Sequence, residues 1–86
     1  MKLKYIEAIP GRASGDLTLK GTRIRVALVL IRLTEVGESF EDLHEMWPWV
    51  SIKKLRGAVR EAIELISMLD YSKLNHLSET YEEFRK

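Results

Sequence analysis

The sequence lacks several residue types that common classes of site require. Its 86 residues include no cysteine, which excludes disulfide bonds, thiolate zinc sites and cysteine nucleophiles. Five glycines and two prolines are too few for a fibrous or low-complexity chain. The longest apolar run, residues 26–31, is much too short to cross a membrane. We therefore expect one soluble, cytoplasmic globular domain whose stability comes from packing or association.

Two further expectations come from the amino-terminal residues and from the content of asparagine and glutamine. Residues 1–9 mix Lys2, Lys4 and Glu7 with apolar residues, which is not the pattern of a signal peptide. Glutamine is absent and asparagine occurs once, at Asn75, whereas glutamate, lysine, arginine and isoleucine are abundant. This composition is typical of thermophile proteins, so we expect a thermophilic source.

The first third of the chain predicts a small β element and one helix. Residues 3–9 and 16–19 have the character of two short strands, separated by a turn that begins at Pro10. A buried helix is expected from residue 24 or 26 to Gly37, which stands where a C-cap glycine belongs. A buried strand is the alternative for this apolar segment.

Two further helices are predicted from their caps and apolar spacing. Ser39 is expected to cap a short second helix that Pro48 ends, and Ser51 to cap a long third helix. The third helix carries the strongest periodic signal, an apolar stripe of Ile52, Leu55, Val59, Ala62, Ile66 and Leu69. The prediction is a mainly α fold with a small N-terminal β element and a three-helix, helix-turn-helix-like (homeodomain-like) core.

The chain divides into a domain over residues 1–70 and an amphipathic tail over residues 71–86. The stripe of the third helix loses its phase near residues 70–72, and a separate apolar set then begins: Leu74, Leu77, Tyr81 and Phe84. This set could fold back onto the core or be presented to a partner's groove. The residues alone leave both uses open.

The net charge of +1 conceals blocks of opposite sign. Residues 1–34 hold seven basic and two acidic residues, and residues 35–50 hold five acidic residues and no basic one. Lys53, Arg56 and Arg60 lie within an arc of about 60° on the third helix, opposite its apolar stripe. One face of this helix is therefore expected to be basic.

A basic face at the start of a helix is suited to phosphate. Lys53 and Lys54 oppose the helix dipole, which phosphate contact would offset. Gly57 on the same face would allow close approach of a sugar-phosphate backbone or a partner helix. We predict that Lys53, Lys54, Arg56 and Arg60 bind double-stranded DNA, the alternative being a solvated basic face with a tolerated glycine.

No catalytic, cofactor or metal site is expected. The chain offers no nucleophile with an adjacent base, no convergent carboxylates and no glycine-rich phosphate loop, so we do not expect an enzyme. Glu41, His44 and Glu45 have a spacing that could hold a metal, but a solvated helix face is the preferred interpretation. Trp47 and Trp49 are expected to pack in the core and at the corner rather than to stack on bases.

Three segments together resemble the domain-of-unknown-function family 433. They are residues 19–26 (LKGTRIRV), residues 37–43 (GESFEDL) and residues 47–51 (WPWVS), and the resemblance spans about residues 6–66. The family pattern has a glycine-rich β turn, "IxGTRIPV", "GxSxEEI", "YPxLS" and "IRAAL". This chain departs from it at residues 14–17, where "GGKP" is usual, and at Arg25, where proline is common.

The resemblance implies a helix-turn-helix-like domain that is often encoded beside a PIN-like RNase. Members are regarded as antitoxins of the VapB type. It implies that this chain neutralises a PIN-like toxin, for which Leu74, Leu77, Tyr81 and Phe84 are then the predicted partner-binding residues. We expect the chain to bind its own promoter DNA as a homodimer. The alternatives are a stand-alone DNA-binding regulator and a dimerisation or scaffold module without DNA binding.

The GTR element has a physical interpretation of its own. Gly21 allows an unusual backbone angle, Thr22 is expected to cap the next helix, and Arg23 can clamp a phosphate or a carboxylate. With Lys20 and Arg25, Arg23 is included among the predicted DNA-binding residues. The alternative for Arg23 is an ion pair with Glu35, Glu38 or another acid of the same fold.

Overall fold

The structure, a computed structural model, describes residues 2–69, in which a small antiparallel sheet precedes three helices. The strands are β1 (Ile6–Ala8) and β2 (Leu17–Leu19), and the helices are α1 (Val26–Ile31), α2 (Phe40–Met46) and α3 (Ile52–Ser67). The predicted mainly α fold with an N-terminal β element is confirmed, and the alternative of a strand at residues 26–31 is wrong. No helix within residues 2–69 is long and apolar enough to cross a membrane.

The two strands form a hairpin whose inner residues enter the core. Ile6 pairs with Leu19 and Ala8 with Leu17, and the side chains of Ile6 and Leu19 are fully buried. Between the strands, Ala13, Ser14 and Gly15 all have positive φ. One apolar pair therefore anchors the hairpin in the core, and a segment with left-handed backbone conformation connects its two strands.

The first helix changes its hydrogen-bonding pattern before it ends. After Ile31 the chain continues as a π-helical segment, Arg32–Val36, and Gly37 then ends it with φ of 81° and an N–H bond to the Arg32 carbonyl. Gly37 is thus the C-cap glycine that the sequence predicts, because the left-handed conformation is open to glycine at no steric cost. The π-helical segment is not visible in the apolar pattern.

Both predicted N-caps are confirmed. Ser39 Oγ accepts from the Asp42 N–H at 3.1 Å, and the Asp42 carboxylate accepts from the Ser39 N–H at 2.9 Å, which completes a capping box. These bonds to Ser39 lower the pKa of Asp42. Ser51 Oγ accepts from the Lys54 N–H at 3.0 Å at the start of α3.

A single cluster of buried residues holds the hairpin and the helices together. Its apolar members are Ile6, Leu19, Val26, Val29, Leu43, Val50, Leu55, Ala58 and Ala62. The predicted stripe of α3 enters this core only in part: Leu55 and Ala62 are buried, whereas Ile66 is 53% exposed and Leu69 is 51% exposed. The apolar stripe therefore continues past the part of α3 that the hairpin and the other helices cover.

Candidate nucleic-acid interface

The turn between α2 and α3 is closed by its own polar groups. The Val50 N–H donates to the Trp47 carbonyl at 2.9 Å, and His44 Nδ1 lies 2.7 Å from the Val50 carbonyl. Val50 itself is buried in the core. This five-residue connection fixes the start of α3 relative to α2, and so fixes where the basic residues of α3 point.

The cations of α3 are held on its surface without carboxylate partners. Lys53, Arg56 and Arg60 are exposed, and Lys54 is half-buried. Within residues 2–69 none of the four forms an ion pair; the ion pairs there join Arg12 to Glu7, Arg25 to Asp16 and Arg32 to Glu38. The predicted basic face therefore exists as exposed, uncompensated charge.

Two aromatic rings border this face. The Arg56 guanidinium lies 5.3 Å from the centroid of the Phe40 ring, and the Lys4 ammonium lies 5.4 Å from the centroid of the Tyr5 ring. Both distances are within the range of cation–π attraction. The rings restrict the conformations of the Arg56 and Lys4 side chains. These side chains therefore lose less conformational entropy when a ligand binds.

Tyr5 occupies the space that the sequence assigns to a ligand. Its ring lies directly over Gly57, so closely that a Cβ at position 57 would overlap Cγ and two other ring atoms. The prediction that Gly57 admits a sugar-phosphate backbone or a partner helix is therefore wrong, because the hairpin of the same chain fills that space. An open depression remains beside the ring, lined by Tyr5, Ile52, Lys53, Arg56, Gly57 and Arg60.

The remaining predicted DNA-binding residues are distributed over three places. Lys20 lies beside the amino terminus, where its Nζ donates to the Leu3 carbonyl at 3.1 Å. Arg23 lines a depression beside the two tryptophans. Arg25 Nε lies 3.2 Å from Asp16 Oδ2, so its charge is already matched.

The structure of the GTR element, residues 21–23, differs in part from the one that the sequence predicts. Gly21 does have a positive φ, of 76°. Thr22 does not cap α1, because its Oγ1 accepts from the Ile24 N–H at 3.0 Å and donates to the Leu19 carbonyl at 2.8 Å. Arg23 forms no ion pair within residues 2–69, so the predicted pairing with Glu35 or Glu38 is wrong there, and Glu38 pairs with Arg32 instead.

The two tryptophans have different environments. Trp47 is half-buried and packs against the core, as predicted. Trp49 is 70% exposed, so the prediction that it packs is wrong. Pro48 lies between the two tryptophans and prevents α2 from continuing. The chain turns there, so that only the Trp47 ring faces inward.

No metal centre is formed by the described part of the chain. Residues 2–69 contain no group of three histidine, aspartate or glutamate side chains placed to hold an ion. Nδ1 of the His44 ring contacts the Val50 carbonyl, so this histidine has a structural role in the turn. The predicted partner-binding residues Leu74, Leu77, Tyr81 and Phe84 lie outside the described residues.

Glu61 is the residue of the interface that the sequence did not reveal. Its carboxylate accepts from the N–H groups of Lys4, Tyr5 and Ile6, at 2.6, 2.7 and 3.1 Å. Partial burial raises the pKa of Glu61, but these three bonds and the nearby charge of Lys20 outweigh it, so the pKa is lowered. Glu61 thereby ties the amino-terminal strand to α3, a contact that no local signal predicts across more than fifty residues of chain.

Comparison with known proteins identifies one family model. The model of a protein family of unknown function, DUF433, matches residues 6–62, which run from β1 into the second half of α3. No curated protein and no solved structure matches the chain.

Proposed function

The chain belongs to the DUF433 family of proteins of unknown function, and we propose that this member is a cytoplasmic, non-enzymatic antitoxin. It binds double-stranded DNA through α3 as a homodimer and neutralises a PIN-like RNase through its C-terminal segment. The observation that carries the DNA-binding part is the uncompensated charge of Lys53, Lys54, Arg56 and Arg60, all within the first nine residues of α3.

Phosphate is the ligand that this face fits best. The cations are arranged along one helix, and the helix begins with free N–H groups of its own, which favour an anion. Arginine is suited to bidentate contacts with phosphate oxygens and with guanine edges, and Arg56 is already oriented by Phe40. The short α2, the closed turn and the basic α3 are consistent with docking of α3 in a major groove.

A salt titration tests the DNA-binding part. We expect the affinity for a labelled duplex from upstream of the coding sequence to fall steeply with salt, because each phosphate contact releases counterions. The double variant Arg56→Ala/Arg60→Ala is expected to reduce the slope of log K against log salt by about 2, at about 0.9 per contact. Glu41→Gln/Glu45→Gln on α2 is the control that should retain the slope. Absence of duplex binding at low salt would exclude this function.

An apolar groove supports the homodimer. It lies between α1 and the second half of α3, lined by Asp16, Leu17, Val26, Ala27, Leu30, Ala62, Leu65, Ile66 and Leu69. Ala62 lies about 200° from Arg60 around the helix, so the groove faces away from the basic residues. A second copy in this groove would cover the exposed end of the α3 stripe and leave both basic faces free, which doubles the phosphate contacts.

The oligomeric state tests this interface. Leu69→Glu places a charge in the groove, and we expect it to convert a dimer to a monomer in light scattering after size exclusion. Leu28→Glu is the matched control, because Leu28 is also partly exposed, at 40%, but lines the depression beside the tryptophans. A native chain that is monomeric at all accessible concentrations, or equal effects of both variants, would contradict the proposed interface.

Toxin neutralisation is assigned to residues 72–86 on sequence grounds. The apolar stripe of Leu74, Leu77, Tyr81 and Phe84 is suited to a groove on a nuclease, and Glu79, Glu82 or Glu83 could compete with substrate at its metal ions. Deletion of residues 72–86 removes this segment and leaves α3 whole. We expect the deletion to abolish neutralisation of a co-expressed toxin encoded next to the gene. Full neutralisation by the shortened chain would overturn the assignment.

The same experiments separate the alternatives. A stand-alone regulator would bind DNA with the predicted salt slope but would copurify with no nuclease. A dimerisation or scaffold module would respond to Leu69→Glu but would bind no duplex at low salt.

A further inference from the structure

Three lysines lie together beside α3. Lys2, Lys4 and Lys20 are exposed and, with Leu3, line one shallow depression. None of them forms an ion pair within residues 2–69. The Glu61 carboxylate, whose pKa the charge of Lys20 helps to lower, is occupied by three backbone N–H groups and offsets only part of this charge.

The hairpin holds this group of lysines in a fixed position. The Lys20 N–H donates to the Tyr5 carbonyl at 2.9 Å, and Lys20 Nζ donates to the Leu3 carbonyl at 3.1 Å. The Lys4 N–H donates to Glu61 on α3 at 2.6 Å. The backbone that carries the lysines is therefore attached both to β2 and to α3, so little of its freedom remains to be lost when an anion binds.

The lysine depression adjoins the basic face of α3. Lys54 Nζ donates to the Lys20 carbonyl at 2.5 Å, which connects the first turn of α3 to the end of β2. Tyr5 lies between the two depressions, with Lys4 near its ring and Gly57 beneath it. The two depressions and the Lys54 bond thus bring together seven cations that form no ion pair within residues 2–69: Lys2, Lys4, Lys20, Lys53, Lys54, Arg56 and Arg60.

Given the proposed DNA binding, on which this step rests, we infer that Lys2, Lys4 and Lys20 form a second phosphate-binding patch. The duplex backbone is held across both depressions, with α3 on one side of Tyr5 and the lysines on the other. Lysine suits this role, since it recognises phosphate as a point charge and needs no fixed hydrogen-bond geometry. The patch adds affinity and fixes orientation, while sequence is read by the arginines of α3.

The experiment compares two double variants that remove equal charge from the full-length chain. Lys2→Ala/Lys4→Ala removes two of the three lysines of the patch, whereas Arg12→Ala/Arg32→Ala removes two charges that Glu7 and Glu38 already match. For a labelled duplex, we expect the first variant to lower the slope of log K against log salt by about 2 and the second to leave it unchanged. Lys2→Arg/Lys4→Arg should restore the slope, because it restores the charge.

The outcomes separate this inference from the function it depends on. Equal losses from both double variants would show a non-specific effect of net charge and would overturn the inference. A normal slope for Lys2→Ala/Lys4→Ala, with a reduced slope for Arg56→Ala/Arg60→Ala, would also overturn it and leave DNA binding by α3 intact. If the native chain binds no duplex, both proposals fail together.

Discussion

The ring of Tyr5 lies over Gly57, in the space where any other residue would place its side chain. Gly57 is in the interior of α3, where glycine is destabilising by about 1 kcal/mol relative to alanine. The contact explains why a glycine is present at this position: it lets the amino-terminal segment approach α3 closely enough for Glu61 to accept from the backbone of residues 4–6.

Gly57→Ala is expected to destabilise the native chain even though alanine favours helix. The new methyl group displaces the Tyr5 ring, and overpacking of this kind costs about 1–3 kcal/mol against a gain of about 1 kcal/mol in helix propensity. We expect the free energy of unfolding in urea to fall by up to about 2 kcal/mol.

The control for this prediction is the same substitution without the ring. In a Tyr5→Ala background nothing blocks the new methyl group, so Gly57→Ala should become stabilising by about 1 kcal/mol. A stabilising Gly57→Ala in the native background would show that the ring moves aside freely.

Glu61→Gln is expected to loosen the hairpin from α3. The carboxylate accepts three hydrogen bonds, whereas the amide offers only one acceptor oxygen and turns an NH₂ group toward a backbone donor. Hydrogen bonds to charged acceptors are worth more than neutral ones, so we expect a loss of about 1–2 kcal/mol in the free energy of unfolding at neutral pH. Glu64→Gln, on the same helix and free of these bonds, is the matched control.

The loss from Glu61→Gln should also depend on pH. Because the pKa of Glu61 is lowered in the folded chain, its contribution is present above the ordinary value of 4.5 and is lost as the pH falls through the lowered value. The native chain and the variant should therefore converge in stability at acid pH. Asp42, whose pKa is also lowered, retains its own acid dependence in both proteins. A difference that stays constant with pH would contradict the role of the carboxylate.

Features determined within a few residues of chain were predictable from the sequence. Ser39 and Ser51 were identified as N-caps because the cap bond joins residues three apart, and Gly37 because a C-cap needs a positive φ. The amphipathic spacing of α3 also located Leu55 and Ala62 in the core. The exposure of Lys53, Arg56 and Arg60 followed from the same periodicity.

Features that depend on contacts between distant segments were not predictable. Tyr5 meets Gly57, and Lys4 meets Glu61, only because the hairpin packs on α3, and no periodicity of either segment encodes that packing. The exposure of the last members of the α3 stripe is not predictable either, because spacing alone does not say where the covering elements end. The alternative interpretation of Arg23, an ion pair with Glu35, Glu38 or another acid, fails at Glu38 for a similar reason, because Glu38 pairs with Arg32 in space.

Ser39→Ala is expected to cost more than Ser51→Ala. Each loses one side-chain cap bond, which is worth about 1 kcal/mol. At Ser39 the lost bond is one half of a capping box, and the half that remains, from the backbone N–H of residue 39 to the Asp42 carboxylate, must hold the start of a helix of only seven residues that has few internal bonds to compensate. The comparison of urea midpoints for the two variants measures this difference, and equal costs would show that the shortness of α2 does not make its cap more important.

Ser14→Gly is expected to stabilise the chain, at the position where it departs from the glycine-rich turn of the family pattern. Ser14 has φ of 58° between Ala13, at 49°, and Gly15, at 80°. A left-handed conformation costs a residue with a Cβ about 1–2 kcal/mol, whereas the greater freedom of glycine in the unfolded chain costs about 0.5–1 kcal/mol. The net gain should be about 0.5 kcal/mol in the free energy of unfolding. Ser67→Gly, at the right-handed end of α3, is the control and should destabilise the chain, since there glycine brings its entropic cost and removes the bond from the Ser67 hydroxyl to the Glu64 carbonyl. A loss of stability in Ser14→Gly as large as in Ser67→Gly would mean that the hairpin turn does not require the left-handed conformation.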